Sequence, residues 1–409
     1  MNLARRALLR AAAAAGALAF APRVVAQAAP MLEGGRLVVV FLRGAYDGLS
    51  AFVPCADPDY ERLRQATRIP APDGSEGAAI RLDGRFALHP ALAPVLPMWR
   101  DGILAVVPAA GSPDPTRSHF EAQHHWETGI PGRNSEAPGW MNRLASMEPA
   151  GLREQRLVGV GEANPRILAG ELRARLVPRG PQAANQGAIG NERMRLALAD
   201  IYAADGRLAA AFRAGTDSRM ETARDLAAEM TRADNGAGPA AGLVQASRQL
   251  AALMRSGGQL RLGFLSAGGW DTHANQGGVQ GQLANQLGGL ARALVELRAG
   301  LSRPGDLILV LSEFGRTAAE NGSRGTDHGR GNALWLIGER VAGGRMHGRW
   351  EGLAQGNLNE GRDLPVLHDF RAVIAQALAR NFGLPESRLA DLFPGAAWDA
   401  RLDGLLRRA

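Results

Sequence analysis

The chain has 409 residues, of which 46% are apolar and 21% are charged, so it can bury a sizeable core. These proportions exclude a globally disordered chain. The formal net charge is +7, but four of the arginines lie in the first 28 residues, and no basic cluster is interleaved with aromatic side chains. We therefore expect a weakly basic globular protein that binds no nucleic acid.

Residues 1–28 have the features of an export signal. Arg5 and Arg6 precede the alanine-rich stretch 11–21. Residues 26–28 (A-Q-A) match the small-residue pattern at which signal peptides are cleaved. Paired arginines before such a stretch favour the twin-arginine export machinery, with an ordinary secretory signal as the alternative. The apolar stretch is too short to span a bilayer. We expect a periplasmic or secreted protein with no stable membrane anchor after cleavage.

Continuous apolar runs beyond the leader predict strands that are buried on both faces. The predicted strands are 37–42, 103–107, 157–160, 260–265, 307–311 and 333–337, and the predicted helices include 120–128, 279–299 and 370–382. This alternation predicts an α/β fold, with a mostly parallel sheet and helices on both faces. Helical periodicity between the third and fourth strands predicts a helical insertion at about 180–258. We expect residues 29–409 to form one domain that contains this insertion.

Side chains that bind metals follow four of the predicted strands. Ligands of open α/β sheets bind outside the carboxyl ends of the strands, so these side chains are expected to meet there. They are Asp47, Asp271, His273, Glu313, Asp327 and His328, and the segment after the second predicted strand adds His119, His124 and His125. Imidazole and carboxylate groups suit zinc, manganese or iron. Each residue alone also fits a turn, a helix cap or an ion pair, but the four segments together favour a metal site.

Ser118 is the candidate nucleophile. It precedes the predicted helix 120–128, where exposed amides and the helix dipole attract an anionic ester group. Plain helix capping explains the same serine without chemistry, and Thr116 is a weaker alternative nucleophile. Arg117 and Arg316 are candidate clamps for a phosphate or sulfate group, with ordinary ion pairing as the alternative.

Six motifs in chain order resemble the bacterial domain-of-unknown-function 1501 family. They are R-G…D-G-L at 43–49, L-H-P-A-L at 88–92, S-H-F-E-A-Q at 118–123, G-W-D-T-H at 269–273, S-E-F-G-R-T at 312–317 and G-T-D-H-G at 325–329. The resemblance runs from about residue 36 to about residue 385. That family is similar in turn to the alkaline phosphatase and sulfatase superfamily, which implies a two-metal hydrolase or transferase fold.

The resemblance also implies roles for individual residues. Asp47 corresponds to the first metal ligand, and Ser118 corresponds to the nucleophile. Asp271 and His273 correspond to a pair of ligands, and His328 to the ligand that closes the metal shell.

The chain departs from the superfamily pattern at Glu313-Phe314, where the superfamily has an Asp-His pair. Because phenylalanine cannot ligate a metal, one metal site lacks a ligand unless Asp327, His119 or His124 replaces it. We expect an exported hydrolase that uses a divalent ion (zinc, manganese, iron or calcium) on an anionic small-molecule or saccharide ester of phosphate or sulfate. The alternative is a secreted binding or scaffold protein that kept the fold and lost turnover.

Overall fold

The computed structural model of the protein describes residues 30–132, 136–161, 165–178, 242–256 and 258–407. The expected export signal, residues 1–28, lies outside the described residues. Most of the expected helical insertion at about 180–258 also lies outside them.

The described elements alternate between strands and helices along the chain. The strands are β1 Leu37–Leu42, β2 Phe52–Val53, β3 Ile80–Arg81, β4 Ala87–Leu88, β5 Leu104–Gly111, β6 Leu157–Val160, β7 Ala174–Val177, β8 Leu262–Ala267, β9 Leu307–Leu311, β10 Asn332–Ile337, β11 Arg345–Met346 and β12 His368–Asp369. The α-helices are α1 Gly48–Ala51, α2 Tyr60–Leu63, α3 Leu96–Arg100, α4 His119–Thr128, α5 Trp140–Ser146, α6 Ala150–Arg153, α7 Gly242–Ser256, α8 Gln282–Gly300, α9 Phe370–Phe382 and α10 Glu386–Leu392. Short 3₁₀ helices lie at Pro90–Val95, Arg166–Leu168, Gln355–Asn357 and Ala400–Leu402.

One mixed sheet forms the centre of the fold, with the strand order β11-β5-β10-β9-β1-β8-β6-β7 and with β12 beside β5. Its central strand, β1, pairs in parallel with β8 and β9, which places Val39 opposite Phe264 and Leu309. β10 runs antiparallel to both β5 and β9. The structure therefore confirms an α/β fold with a mostly parallel sheet. A separate small sheet contains β2, β4 and β3.

Successive side chains of β1 point into two different cores, because side chains alternate across a strand. Val38 and Val40 belong to a core that includes leucines of α7 and α8. Leu37 and Val39 belong to the other core, with side chains from α4, α5 and α9. Burial of each such side chain contributes about 1.5–3 kcal/mol, which explains why this strand is apolar on both faces.

Helix α4, which carries the candidate site residues after β5, is fixed to the core at its carboxyl end. Trp126 stacks on Phe370 of α9, with ring centroids 4.0 Å apart. The buried carboxylate of Glu127 accepts hydrogen bonds from Arg43 and from the backbone N–H of Ile167. These contacts fix the carboxyl end of α4 to the core. Within the described part of the chain, no helix has the length and apolarity needed to cross a membrane.

Candidate metal centre

The carboxyl ends of β1, β8 and β9 lie side by side, because β8 and β9 both run parallel to β1. β5 ends at the same edge, because it is antiparallel to β10 and β10 is antiparallel to β9. The segments that follow these strands therefore meet at one edge of the sheet, where open α/β sheets bind ligands.

Three histidines and one aspartate converge at this edge. Nε2 of His328 lies 3.0 Å from Nε2 of His119 and 3.0 Å from Nε2 of His273. The carboxylate oxygens of Asp271 lie 3.5 Å from Nε2 of His119, 2.9 Å from Nε2 of His273 and 3.2 Å from Nε2 of His328. The side chains of Asp271 and His273 are each 43% exposed, so the group is open to solvent.

Each imidazole is oriented by an acceptor on its other nitrogen. The contacts are His119 Nδ1 with Glu313 Oε1 at 2.7 Å, His273 Nδ1 with Asp327 Oδ1 at 3.0 Å, and His328 Nδ1 with the carbonyl of Arg117 at 3.0 Å. Carboxylate and carbonyl oxygens only accept, so each Nδ1 donates and each Nε2 lone pair faces the shared centre. Two Nε2 atoms 3.0 Å apart share either a proton or a bound cation. This arrangement of outer acceptors is typical of metal-ligating histidines.

Glu313 lies behind His119 and is buried. Burial alone raises the pKa of this carboxyl, but hydrogen bonds from His119, Gln123 and the backbone N–H of Gly44 outweigh burial and hold the pKa below its usual range. In return, the hydrogen bond to Glu313 raises the pKa of His119. For His328, burial and the neighbouring His119 lower the pKa. The ionised carboxylate of Glu313 is thus a hydrogen-bond partner of His119.

Arg316 provides the positive charge beside Asp271, with 2.5 Å between its guanidinium and Oδ1 of the carboxylate. Burial raises the pKa of Asp271, but Arg316, together with His328 and His273, outweighs burial and lowers it. The buried guanidinium also donates to the backbone carbonyls of Ala45, Thr326 and Gly44. The structure thus places Arg316 as a counter-charge and backbone anchor for the loop that carries Asp271.

A family model described as "Protein of unknown function (DUF1501)" matches residues 107–393 of the chain. The chain belongs to this family. The match confirms the family that the sequence motifs indicated. A comparison with curated proteins finds no match.

The structure of this DUF1501 protein places Asp47 in a different set of contacts from the three histidines. Its buried carboxylate accepts from both terminal nitrogens of Arg64, at 2.5 and 3.1 Å. It also accepts from Ser50 Oγ at 2.8 Å, from Gln276 Nε2 at 2.7 Å and from the backbone N–H of Leu49 at 3.2 Å. These contacts occupy both oxygens and form an internal ion pair with Arg64.

The other expected metal residues of the DUF1501 chain divide into two layers. Asp271, His273 and His328 contact one another directly, and His119, which the sequence offered as a replacement ligand, joins them. Asp327 lies behind His273, just as Glu313 lies behind His119. Asp327 accepts from His273 and Asn321, and although burial raises its pKa, these contacts lower it overall.

Ser118 occupies the N-cap position of α4, directly before His119, and is exposed. Its side chain makes no capping hydrogen bond, although its backbone N–H donates to Thr116 Oγ1 at 3.2 Å. The guanidinium of Arg117 pairs with Glu360 at 3.0 Å and with Asp363 at 3.2 Å. Ser118 therefore presents a hydroxyl that the helix does not use, whereas Arg117 is engaged in ion pairs.

Several residues of the site carry no recognisable sequence signal. They are Arg64, Gln276 and Asn321, which lie behind the ligand group. Arginine, glutamine and asparagine are common surface residues, so their type alone does not mark them as parts of a site.

Proposed function

We propose that this DUF1501 protein is an exported metal-dependent hydrolase of phosphate or sulfate esters, with an alkaline phosphatase-like fold. The observation that carries the proposal is the convergence of three Nε2 atoms on one carboxylate, with every Nδ1 fixed by an outer acceptor. The exposed hydroxyl of Ser118, next to a member of this group, supports nucleophilic chemistry.

His119, Asp271 and His328 offer three ligand atoms that all lie within 4.8 Å of one another, so they fit a single divalent ion, and Nε2 of His273 lies beside them, 2.9 Å from Asp271. His119, His273 and His328 offer three nitrogens, and Asp271 offers an oxygen, which is a ligand set suited to zinc, manganese or iron. Calcium prefers oxygen ligands throughout, so this nitrogen-rich set disfavours it. When bound, such an ion supplies a Lewis acid for an ester oxygen and balances the negative charge that develops during transfer.

Ser118 is the proposed nucleophile. Its Oγ forms a bond to phosphorus or sulfur, the bond to the ester oxygen breaks, and the hydroxyl proton ends on the alcohol that leaves. Water then cleaves the seryl ester, which releases the inorganic anion and restores the hydroxyl. The amino end of α4, ten residues long, presents its dipole to the transferring anion.

A binding protein without turnover is the second candidate. The observation that favours it is the state of the two expected clamps, since Arg117 is paired with carboxylates and Arg316 is buried against carbonyl groups. A protein of this kind binds the same metal and anions and leaves esters intact.

Hydrolysis of a panel of phosphate and sulfate esters, with each metal in turn, tests the proposal. We expect turnover in the wild type, loss of turnover with unchanged metal content in Ser118→Ala, and no effect of Ser302→Ala. Ser302 is the matched control, an exposed serine shortly before the amino end of β9. A Ser118→Ala protein with full activity would show that Ser118 is not the nucleophile. A wild type that binds metal and cleaves no ester supports the binding protein.

A further inference from the structure

Gln276 is completely buried behind the ligand group, and both ends of its side chain are bonded. Its Oε1 accepts from Thr272 Oγ1 at 2.7 Å and from Thr326 Oγ1 at 2.8 Å. Its Nε2 donates to Asp47 Oδ2 at 2.7 Å. One carboxamide thus joins two threonines to the buried aspartate.

The two threonines belong to the two loops that supply the ligand group. Thr272 lies between Asp271 and His273, and Thr326 directly precedes Asp327 and His328. The loops also bond to each other through the backbone, since the N–H of Thr326 donates to the carbonyl of Thr272 at 3.1 Å. A shift of Gln276 therefore moves both loops.

The ion pair of Asp47 and Arg64 closes this network on its other side. Arg64 donates to the carbonyls of Thr317 at 2.9 Å and Ala318 at 2.6 Å. The N–H of Thr317 in turn donates to the carbonyl of Asp327 at 2.9 Å. The network therefore contacts the loop that carries Asp327 and His328 at two points, through Thr326 and through the backbone of Asp327.

All five side chains of the network are buried, each at most 1% exposed. They are Asp47, Arg64, Thr272, Gln276 and Thr326. Buried polar networks with satisfied hydrogen bonds make their surroundings rigid, because breaking any one bond leaves a buried group without a partner. Metal ligands require positions held within about 0.5 Å, which exposed loops alone do not provide.

We propose that Gln276 is a positioning residue for the metal centre, and that Asp47, anchored by Arg64, holds Gln276 in place. This inference rests on the proposed metal centre. In this assignment Asp47 acts on the centre through Gln276 and the two threonines and does not ligate the ion. Gln276 fixes the separation of Asp271 and His273 from His328.

Matched substitutions at the threonines test the proposal. Thr272→Val and Thr326→Val remove each hydroxyl and keep the shape of the side chain, whereas Thr272→Ser and Thr326→Ser keep the hydroxyl. The control is Thr128→Val, which removes an equally buried hydroxyl that donates to the carbonyl of His124 at the far end of α4. Gln276→Leu removes all three bonds and serves as a stronger variant where it folds.

The measurements are the zinc dissociation constant, by competition with a chelator, and the visible absorption of the Co²⁺-loaded protein, which reports ligand geometry. We expect zinc affinity about 10-fold weaker and an altered Co²⁺ spectrum in both valine variants, at the lower end of the effect of losing a group that bonds directly to a ligand. The serine variants and Thr128→Val are expected to match the wild type.

Two results overturn the proposal in different ways. If the wild type binds neither Zn²⁺ nor Co²⁺, both the metal centre and the positioning role are wrong. If the wild type binds both ions and the valine variants at 272 and 326 behave like Thr128→Val, the positioning role is wrong and the metal centre is not affected.

Discussion

Asp47→Asn is expected to destabilise the protein by about 3–5 kcal/mol, because it removes one partner of a buried ion pair. Both partners are at most 1% exposed, so Arg64 is left buried without its ion-pair partner. The matched control is Asp59→Asn, which breaks an ion pair with Arg62 that is 62% exposed on the arginine side. Exposed pairs of that kind contribute less than about 1 kcal/mol.

Denaturant titration of the mature protein, with a chelator present to remove metal effects, measures both free energies of unfolding. The pH dependence gives a second check. Burial raises the pKa of Asp47, but Arg64, together with hydrogen bonds from Ser50 and Gln276, outweighs burial and lowers it. The contribution is therefore complete above the unfolded pKa of about 3.9 and is lost as pH falls through the lower folded value. An Asp47→Asn protein as stable as Asp59→Asn at neutral pH refutes the reasoning.

Three further predictions concern the centre and export. Glu313→Gln removes the negative charge behind His119 and is expected to weaken zinc binding about 10–100-fold. The exposed control Glu386→Gln is expected to leave zinc binding unchanged. Equal zinc affinities in the two variants would show that Glu313 does not support zinc binding through His119. Zinc binding is expected to weaken as pH falls, because protons compete for His119, whose pKa the hydrogen bond to Glu313 raises, and titrations at several pH values check this. Replacement of Arg5 and Arg6 by lysine is expected to retain the precursor in the cytoplasm, seen by fractionation, and continued processing contradicts twin-arginine export.

Continuous apolar runs predicted the central strands well. The bounds of β1, β6 and β9 agree with the predicted ones, because residues buried on both faces of a sheet must be apolar throughout. The predicted strand 103–107 is observed as Leu104–Gly111. Strands of two residues, such as β11 and β12, are too short to show a periodicity, so they were not predicted.

For the site, the chemistry of residues after each strand predicted Asp271, His273 and His328. Their contacts follow from the parallel register of the strands. Asp47 was predicted as a ligand because its position after β1 matches the superfamily pattern. Its partner, Arg64, lies 17 residues further along in a segment without a motif, so the ion pair emerged only from the three-dimensional structure.

Metal stoichiometry and affinity of the mature protein, measured side by side in wild type, His328→Ala and Asp47→Asn, test the metal centre most directly. One zinc or similar divalent ion per chain is expected in the wild type, because the described residues bring together one ligand group. His328→Ala is expected to lose that ion, whereas folded Asp47→Asn retains a single ion with weaker affinity. A wild type that binds no divalent ion, or a His328→Ala variant that binds it as tightly as the wild type, would contradict the metal centre.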